Sequence, residues 1–153
     1  EDGVPMEKKY AQEESDPLYP IYTFVDADLS GTAESGKAEL GRLVGKQHGF
    51  DTVKPVQLIK YLVQTFTNKK DIILDFFSGS ATTAQAVIEQ NEEDHGTRKY
   101  ILVQIEEKCD PDGEAFKAGF KTICEIGKER IRRAGKQILS AGGGTVGDVR
   151  DAA

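Results

Sequence analysis

The residues best placed to do chemistry lie in Asp71-Ile72-Ile73-Leu74-Asp75-Phe76-Phe77-Ser78-Gly79-Ser80-Ala81-Thr82-Thr83-Ala84, where an apolar run ends on a carboxylate and turns through small residues. A dinucleotide site needs three glycines so that backbone can approach a pyrophosphate, and a nucleoside-triphosphate loop needs a Lys-Ser/Thr pair after its second glycine. This segment has one glycine, Gly79, and no lysine. Asp75 at its mouth repels phosphate and favours a cation. S-adenosylmethionine fits that chemistry, since it has no phosphate and offers a sulfonium, an ammonium and a ribose diol. The plainer alternative is an ordinary strand-to-helix turn with a solvated aspartate.

The elements around the segment decide where its side chains point. Ile72, Ile73 and Leu74 read as a short parallel strand buried on both faces. The helix that follows carries Ala84, Val87 and Ile88 at i, i+3 and i+4, with Gln90-Asn91 as its polar stop. Ligands of open parallel α/β sheets bind outside the carboxyl ends of the strands, which is where Asp75 and the turn from Phe76 to Ser80 fall. Upstream, Lys54-Pro55 opens a helix whose apolar stripe is Leu58, Ile59, Leu62, Val63 and Phe66. Downstream, Tyr100 to Ile105 reads as a second buried strand ending on Glu106-Glu107, whose polar groups are placed to take ribose hydroxyls. Strand, helix and strand make a right-handed crossover.

The ordered set of Lys54-Pro55, Asp75-Phe76-Phe77-Ser78-Gly79-Ser80, the run from Arg98 to Gln104 and the run from Ile126 to Gly135 closely resembles the C-terminal part of adenine-specific DNA methyltransferases. Among these it is most similar to the modification subunit of type III restriction–modification systems, over about residues 50 to 135. The resemblance implies an α/β, Rossmann-like S-adenosylmethionine-dependent methyltransferase fold, here partial, with a mainly parallel sheet flanked by helices. It also implies cofactor-binding roles for Lys54, Pro55, Asp75, Phe76, Phe77, Ser78, Gly79, Ser80, Thr82, Gln104 and Glu106. Partners implied for the complete protein are double-stranded DNA, a second methyltransferase protomer and a restriction subunit.

Two positions depart from the wider family. Ala81 stands where relatives usually carry glycine, and it is expected in a first helical turn, where the conformation is harmless and only close approach to the ligand suffers. Gln104 stands where many relatives outside the type III group place an acid for the ribose, with Glu106 as a possible substitute. Relatives hold the flipped adenine with Asp/Asn-Pro-Pro-Tyr/Phe. Only Asp16-Pro17-Leu18-Tyr19 comes near that pattern, and it lacks the second proline and follows the polar Gln12-Glu13-Glu14-Ser15. It reads as a turn, so no catalytic residue is assigned. The chain is expected to bind cofactor without completing catalysis. Alternatives are a non-catalytic assembly surface on the helix from Lys121 to Gln137, or a methyltransferase acting on RNA.

Composition sets the remaining bounds. At 153 residues the chain suits one domain, and its start at Glu1 agrees with a piece of a longer protein. The divisions expected are 1–49, a remnant of a target-recognition region and linker; 50–139, the methyltransferase core; and 140–153, a flexible glycine-rich tail. A net charge of −6 argues against this piece as the main DNA-holding surface. Residues 1–20 carry six acidic and two basic side chains, whereas Lys121 to Lys136 carry six basic and two acidic. That basic segment is a helix on its period of Phe120, Ile123, Cys124, Gly127, Ile131, Ala134 and Ile138. Its Arg130, Arg132, Arg133 and Lys136 are expected on a solvated face that complements the helix dipole.

Leu18 to Val25 reads as an edge strand, Asp26 to Gly36 as loop and Lys37 to Val44 as a short helix. Asp110-Pro111-Asp112-Gly113 reads as a turn opening another helix. Cys109 and Cys124 match no redox or metal-ligand spacing, and Cys124 is expected in the core. His48 and His95 are expected on the surface. No apolar run is long enough to span a membrane, so a cytoplasmic location is the default expectation.

Overall fold

A computed structural model describes residues 24–142. Eight elements follow one another: α1 (Ala27–Ser30), α2 (Ala33–Val44), α3 (Val56–Phe66), β1 (Ile72–Asp75), α4 (Thr82–Asp94), β2 (Lys99–Leu102), α5 (Glu114–Lys117) and α6 (Ile123–Gly142). The architecture is α/β, with a small parallel sheet in which Ile72 pairs with Lys99 and Asp75 with Leu102. Asp16-Pro17-Leu18-Tyr19 and nearly all of the strand expected from Leu18 lie outside the described residues.

The sheet departs from the expectation of strands buried on both faces. Tyr100 and Leu102 of β2 pack on Ala81, Ala84, Ile88 and Ile131, so α4 and α6 cover one face. Side chains alternate along a strand, and the opposite face is open: Ile72 is 61% exposed, with Leu74, Ile101 and Val103 each about half exposed. Among the described residues no helix covers that side.

A second core joins α2 to α6 and α5 through Leu40, Leu43, Val44, Val53, Ala115, Ile126 and Ala134. Helix α2 begins earlier than its apolar pattern suggested. Thr32 Oγ1 accepts from Ser35 N while Ser35 Oγ accepts from Thr32 N, a reciprocal cap that turns part of the expected loop into helix. Gly36 lets α2 lie against the chain before α3, because a β-carbon there would sit 2.4 Å from Val53 O. Pro55 caps α3 without a side-chain acceptor, and Glu39 Oε2 of α2 instead accepts from Val56 N at 3.2 Å.

Gln90-Asn91 does not stop α4. The helix runs on to Asp94 and closes on His95, an exposed residue with φ of 54°. Asn91 stays helical because its side chain bonds the backbone of Arg98 in both directions, at 2.9 and 3.1 Å, rather than competing for its own. Arg98 in turn pairs with Asp94 at 2.9 Å and donates to Thr67 Oγ1 at 2.8 Å, which fixes the start of β2 against the ends of α3 and α4.

His48 is not on the surface. It is 2% exposed, and its Nδ1 accepts from Phe50 N at 3.1 Å. Cys109 packs against the α2–α6 core, and half-buried Cys124 sets its Sγ 3.8 Å from the carbonyls of Gln104 and Ile105. Helix α6 continues past residue 139 to Gly142.

Candidate functional site

The site forms where β1 ends and α4 begins. Asp75 is half-buried at the last position of β1. Its Oδ1 accepts from Phe77 N at 3.1 Å and its Oδ2 from Thr83 Oγ1 at 2.6 Å. The carboxylate is thus held by the turn on one side and by the first turn of α4 on the other. Phe76 and Phe77 project outward, Phe77 being 82% exposed. Gly79 has φ of 48°, and a β-carbon there would meet nothing nearer than Phe77 O at 3.9 Å, so the surface above it is open.

The end of β2 is laced to the same turn. Ser78 N donates to Val103 O at 3.2 Å, and Gly79 N donates to Gln104 Oε1 at 2.7 Å. Gln104 therefore spends its oxygen on the loop, and its Nε2 donates to Ile105 O at 3.3 Å. Glu106 lies exposed two residues beyond and bonds no loop atom among the described residues.

Lys54 reaches the site through its backbone carbonyl, and Pro55 follows as the N-cap of α3. Thr82 Oγ1, adjacent to the Thr83 that binds Asp75, donates to Lys54 O at 3.4 Å. The N-terminus of α4 thereby links the Lys54-Pro55 segment to the carboxylate. A shallow cleft of about 380 Å³ opens on the far side of that segment, where Gly31, Thr32 and Ala33 face Lys54, Pro55 and Leu58. Asp75 and its turn do not line it.

Ala81 corrects the expectation of a harmless helical position. It is the N-cap of α4 with φ of 62° and ψ of 35°, a left-handed conformation that costs an L-residue about 1–2 kcal/mol. The turn needs a residue of positive φ there, and a β-carbon does not remove that demand.

Arg130 overturns the solvated-face reading of the basic helix. It is 0% exposed and donates to Gln85 Oε1 at 2.7 Å, Ser80 Oγ at 2.9 Å, Thr82 Oγ1 at 2.8 Å and Ser80 O at 3.3 Å. Its Nη2 is buried without a hydrogen-bond partner among the described residues. Burial pushes its pKa down to about 10, against the pull of the Glu39 and Glu89 carboxylates, so it stays charged at neutral pH. Arg133 is also committed, donating to Leu43 O at 2.7 Å and to Glu129 at 2.6 Å. Arg132 and Lys136 remain on the exposed side.

Sequence reasoning placed Asp75 at the end of a strand, where it lies, but did not single out Thr83, Gln85 or Arg130, which bond Asp75 or the residues that follow its turn. A signal for Arg130 was present: it falls three residues after Gly127 and four before Ala134, inside the apolar period of α6. Its charge drew the opposite reading.

The chain is 37% identical over 147 residues to the Mod subunit of the type III restriction-modification enzyme StyLTI of Salmonella typhimurium, covering 96% of this chain and 22% of that protein. It is 40% identical over 106 residues to the EcoPI Mod subunit of Escherichia phage P1, covering 69% and 16%. With the type II methyltransferase M.KpnI of Klebsiella pneumoniae it shares 34% over 104 residues, covering 68% and 25%. The chain therefore spans about a quarter or less of the length of these relatives. The sequence pattern of the DNA methylase family matches residues 5–132, most of the chain, and the chain belongs to that family.

Proposed function

We propose that this chain is the S-adenosylmethionine-binding portion of a site-specific DNA adenine-N6 methyltransferase of a restriction–modification system, with a partial Rossmann-like fold. The supporting observation is the carboxylate of Asp75, fixed by two hydrogen bonds at the carboxyl end of a parallel strand beside an open turn. The residues fit such a cofactor: an acceptor at the strand tip, two exposed aromatic rings beside it, open space above Gly79, and no cationic side chain in the segment from Asp71 to Ala84. When bound, S-adenosylmethionine supplies an electrophilic methyl group on a sulfonium.

Each residue then has a task. Asp75 accepts from the methionine ammonium, and its fixed orientation leaves little to reorganise on binding. The backbone from Phe76 to Ser80 lines the cofactor, with the Phe76 and Phe77 rings excluding water. Lys54 and Pro55 flank the methionine end through the link made by Thr82. Gln104 holds the loop closed from behind, which leaves Glu106 as the acceptor for the ribose diol. Residues 50–139 carry this binding core. DNA, a second methyltransferase protomer and a restriction subunit are engaged by the complete protein, and the StyLTI and EcoPI relatives are themselves named as Mod subunits of such enzymes.

Calorimetry with S-adenosylmethionine tests the reading. Replacing Asp75 by alanine removes a charge-assisted hydrogen bond to the ammonium, and affinity should fall by about tenfold or more. Equal affinity of the two proteins removes Asp75 from the site.

A further inference from the structure

The side chain that most needs explaining is Arg130, a fully buried cation with no carboxylate partner among the described residues. Burying a charge is costly, and a neutral packed side chain often serves stability as well. Three of its four hydrogen bonds nevertheless go to Ser80 and Thr82, the two neighbours of Ala81. Ala81 is the strained residue, and such conformations persist only where their surroundings over-determine them. The same face of α6 carries Gly127, one turn earlier. A β-carbon at Gly127 would come to 3.4 Å from both Ala81 Cβ and Gly79 O, so the loop lies close over this turn of α6.

We propose that Arg130 is a positioning residue for the cofactor loop: gripping Ser80 and Thr82 on either side of Ala81, it holds the turn in its left-handed form against α6. This rests on the reading that the loop binds S-adenosylmethionine. The loop is then ordered before the ligand arrives, and binding does not have to supply that ordering. The fourth hydrogen bond, to Gln85 Oε1 at 2.7 Å, aims the guanidinium from within α4 itself.

A double-mutant cycle on the full chain tests this. Arg130→Met should weaken S-adenosylmethionine binding by about tenfold, while amide hydrogen exchange quickens at residues 79–82 more than in the α2–α6 core. If Arg130 works by holding Ala81 at positive φ, a glycine there needs less holding. Ala81→Gly should change affinity by less than about threefold alone, yet recover about threefold or more in the Arg130→Met background. Strictly additive effects, or exchange that quickens uniformly across the fold, overturn the positioning role. Arg130→Lys is a milder variant should Arg130→Met not fold: it keeps the charge but lacks the guanidinium fork that bonds Ser80, Thr82 and Gln85 together, and it should produce the same local quickening of exchange. Unchanged exchange at 79–82 in Arg130→Lys overturns the proposal. Exchange in the free chain needs no ligand, so a chain that ignores S-adenosylmethionine sinks the function reading while the exchange data still judge Arg130.

Discussion

The two faces of the β1–β2 sheet have opposite characters. On one, Tyr100 and Leu102 are sealed by α4 and α6, and even the charged Arg130 finds acceptors. On the other, Ile72, Leu74, Ile101 and Val103 face water with no described element above them. Neighbouring apolar side chains of one strand, such as Ile101 and Leu102, thus end in different surroundings. The bonds that fix the turn after β1 come from α4, from α6 and from the end of β2, and no side chain of the open face supplies one.

Matched deletions on the two faces break or uphold this picture, beginning with the largest effect. Ile131 is 7% exposed and packs with Ala81 and Ala84 beneath the sheet. Truncation to alanine should lower unfolding stability by about 2–5 kcal/mol, read by chemical denaturation. A loss under about 1 kcal/mol would mean that the covered face is not a packed core.

How much of this was legible beforehand follows from the same asymmetry. Both strands, the helix after Lys54-Pro55, the turn at Asp110 and the location of Asp75 were readable, because local periodicity and turn chemistry specify them. The two-sided burial of the strands was misread because an apolar run reports only that its residues avoid water, not whether this chain supplies a cover for both faces. Gln90-Asn91 misled because their helix-stopping tendency depends on free side chains, and Asn91 is committed to the backbone of Arg98, which lies beyond the end of the helix in sequence but beside it in space. Arg130 was misplaced because its partners, Ser80, Thr82 and Gln85, lie on another helix and its approach, far away in sequence, and single-sequence patterns do not carry such distances.

His48 gives the intermediate test. Burial lowers its pKa from the ordinary 6.5, with the nearby Lys37 and Arg130 cations adding to the effect against a hydrogen bond to the Lys37 backbone. Its Nδ1 accepts from Phe50 N and so must be unprotonated. The unfolded chain therefore binds the proton more readily than the folded one, and stability present above pH 6.5 should be lost as pH falls from there towards the depressed folded value. Denaturation at a series of pH values should show this slope, and His48→Gln should flatten it below pH 6.5. An equal slope in both proteins would show that His48 titrates alike folded and unfolded.

The smallest effect belongs to the open face. Ile101 lies next to Tyr100 in β2 and is about half exposed, with its side chain on the side that no described helix covers. Ile101→Thr keeps a β-branched residue in the strand, so strand propensity is nearly unchanged, and the apolar surface removed was already largely wet. Stability should shift by no more than about 0.5 kcal/mol. Light scattering at high protein concentration should fall, because the substitution interrupts an apolar patch that runs from Ile72 and Leu74 across to Val103. A cost approaching that of Ile131→Ala would mean that the second face is covered in solution after all, and the contrast between the two faces would be lost.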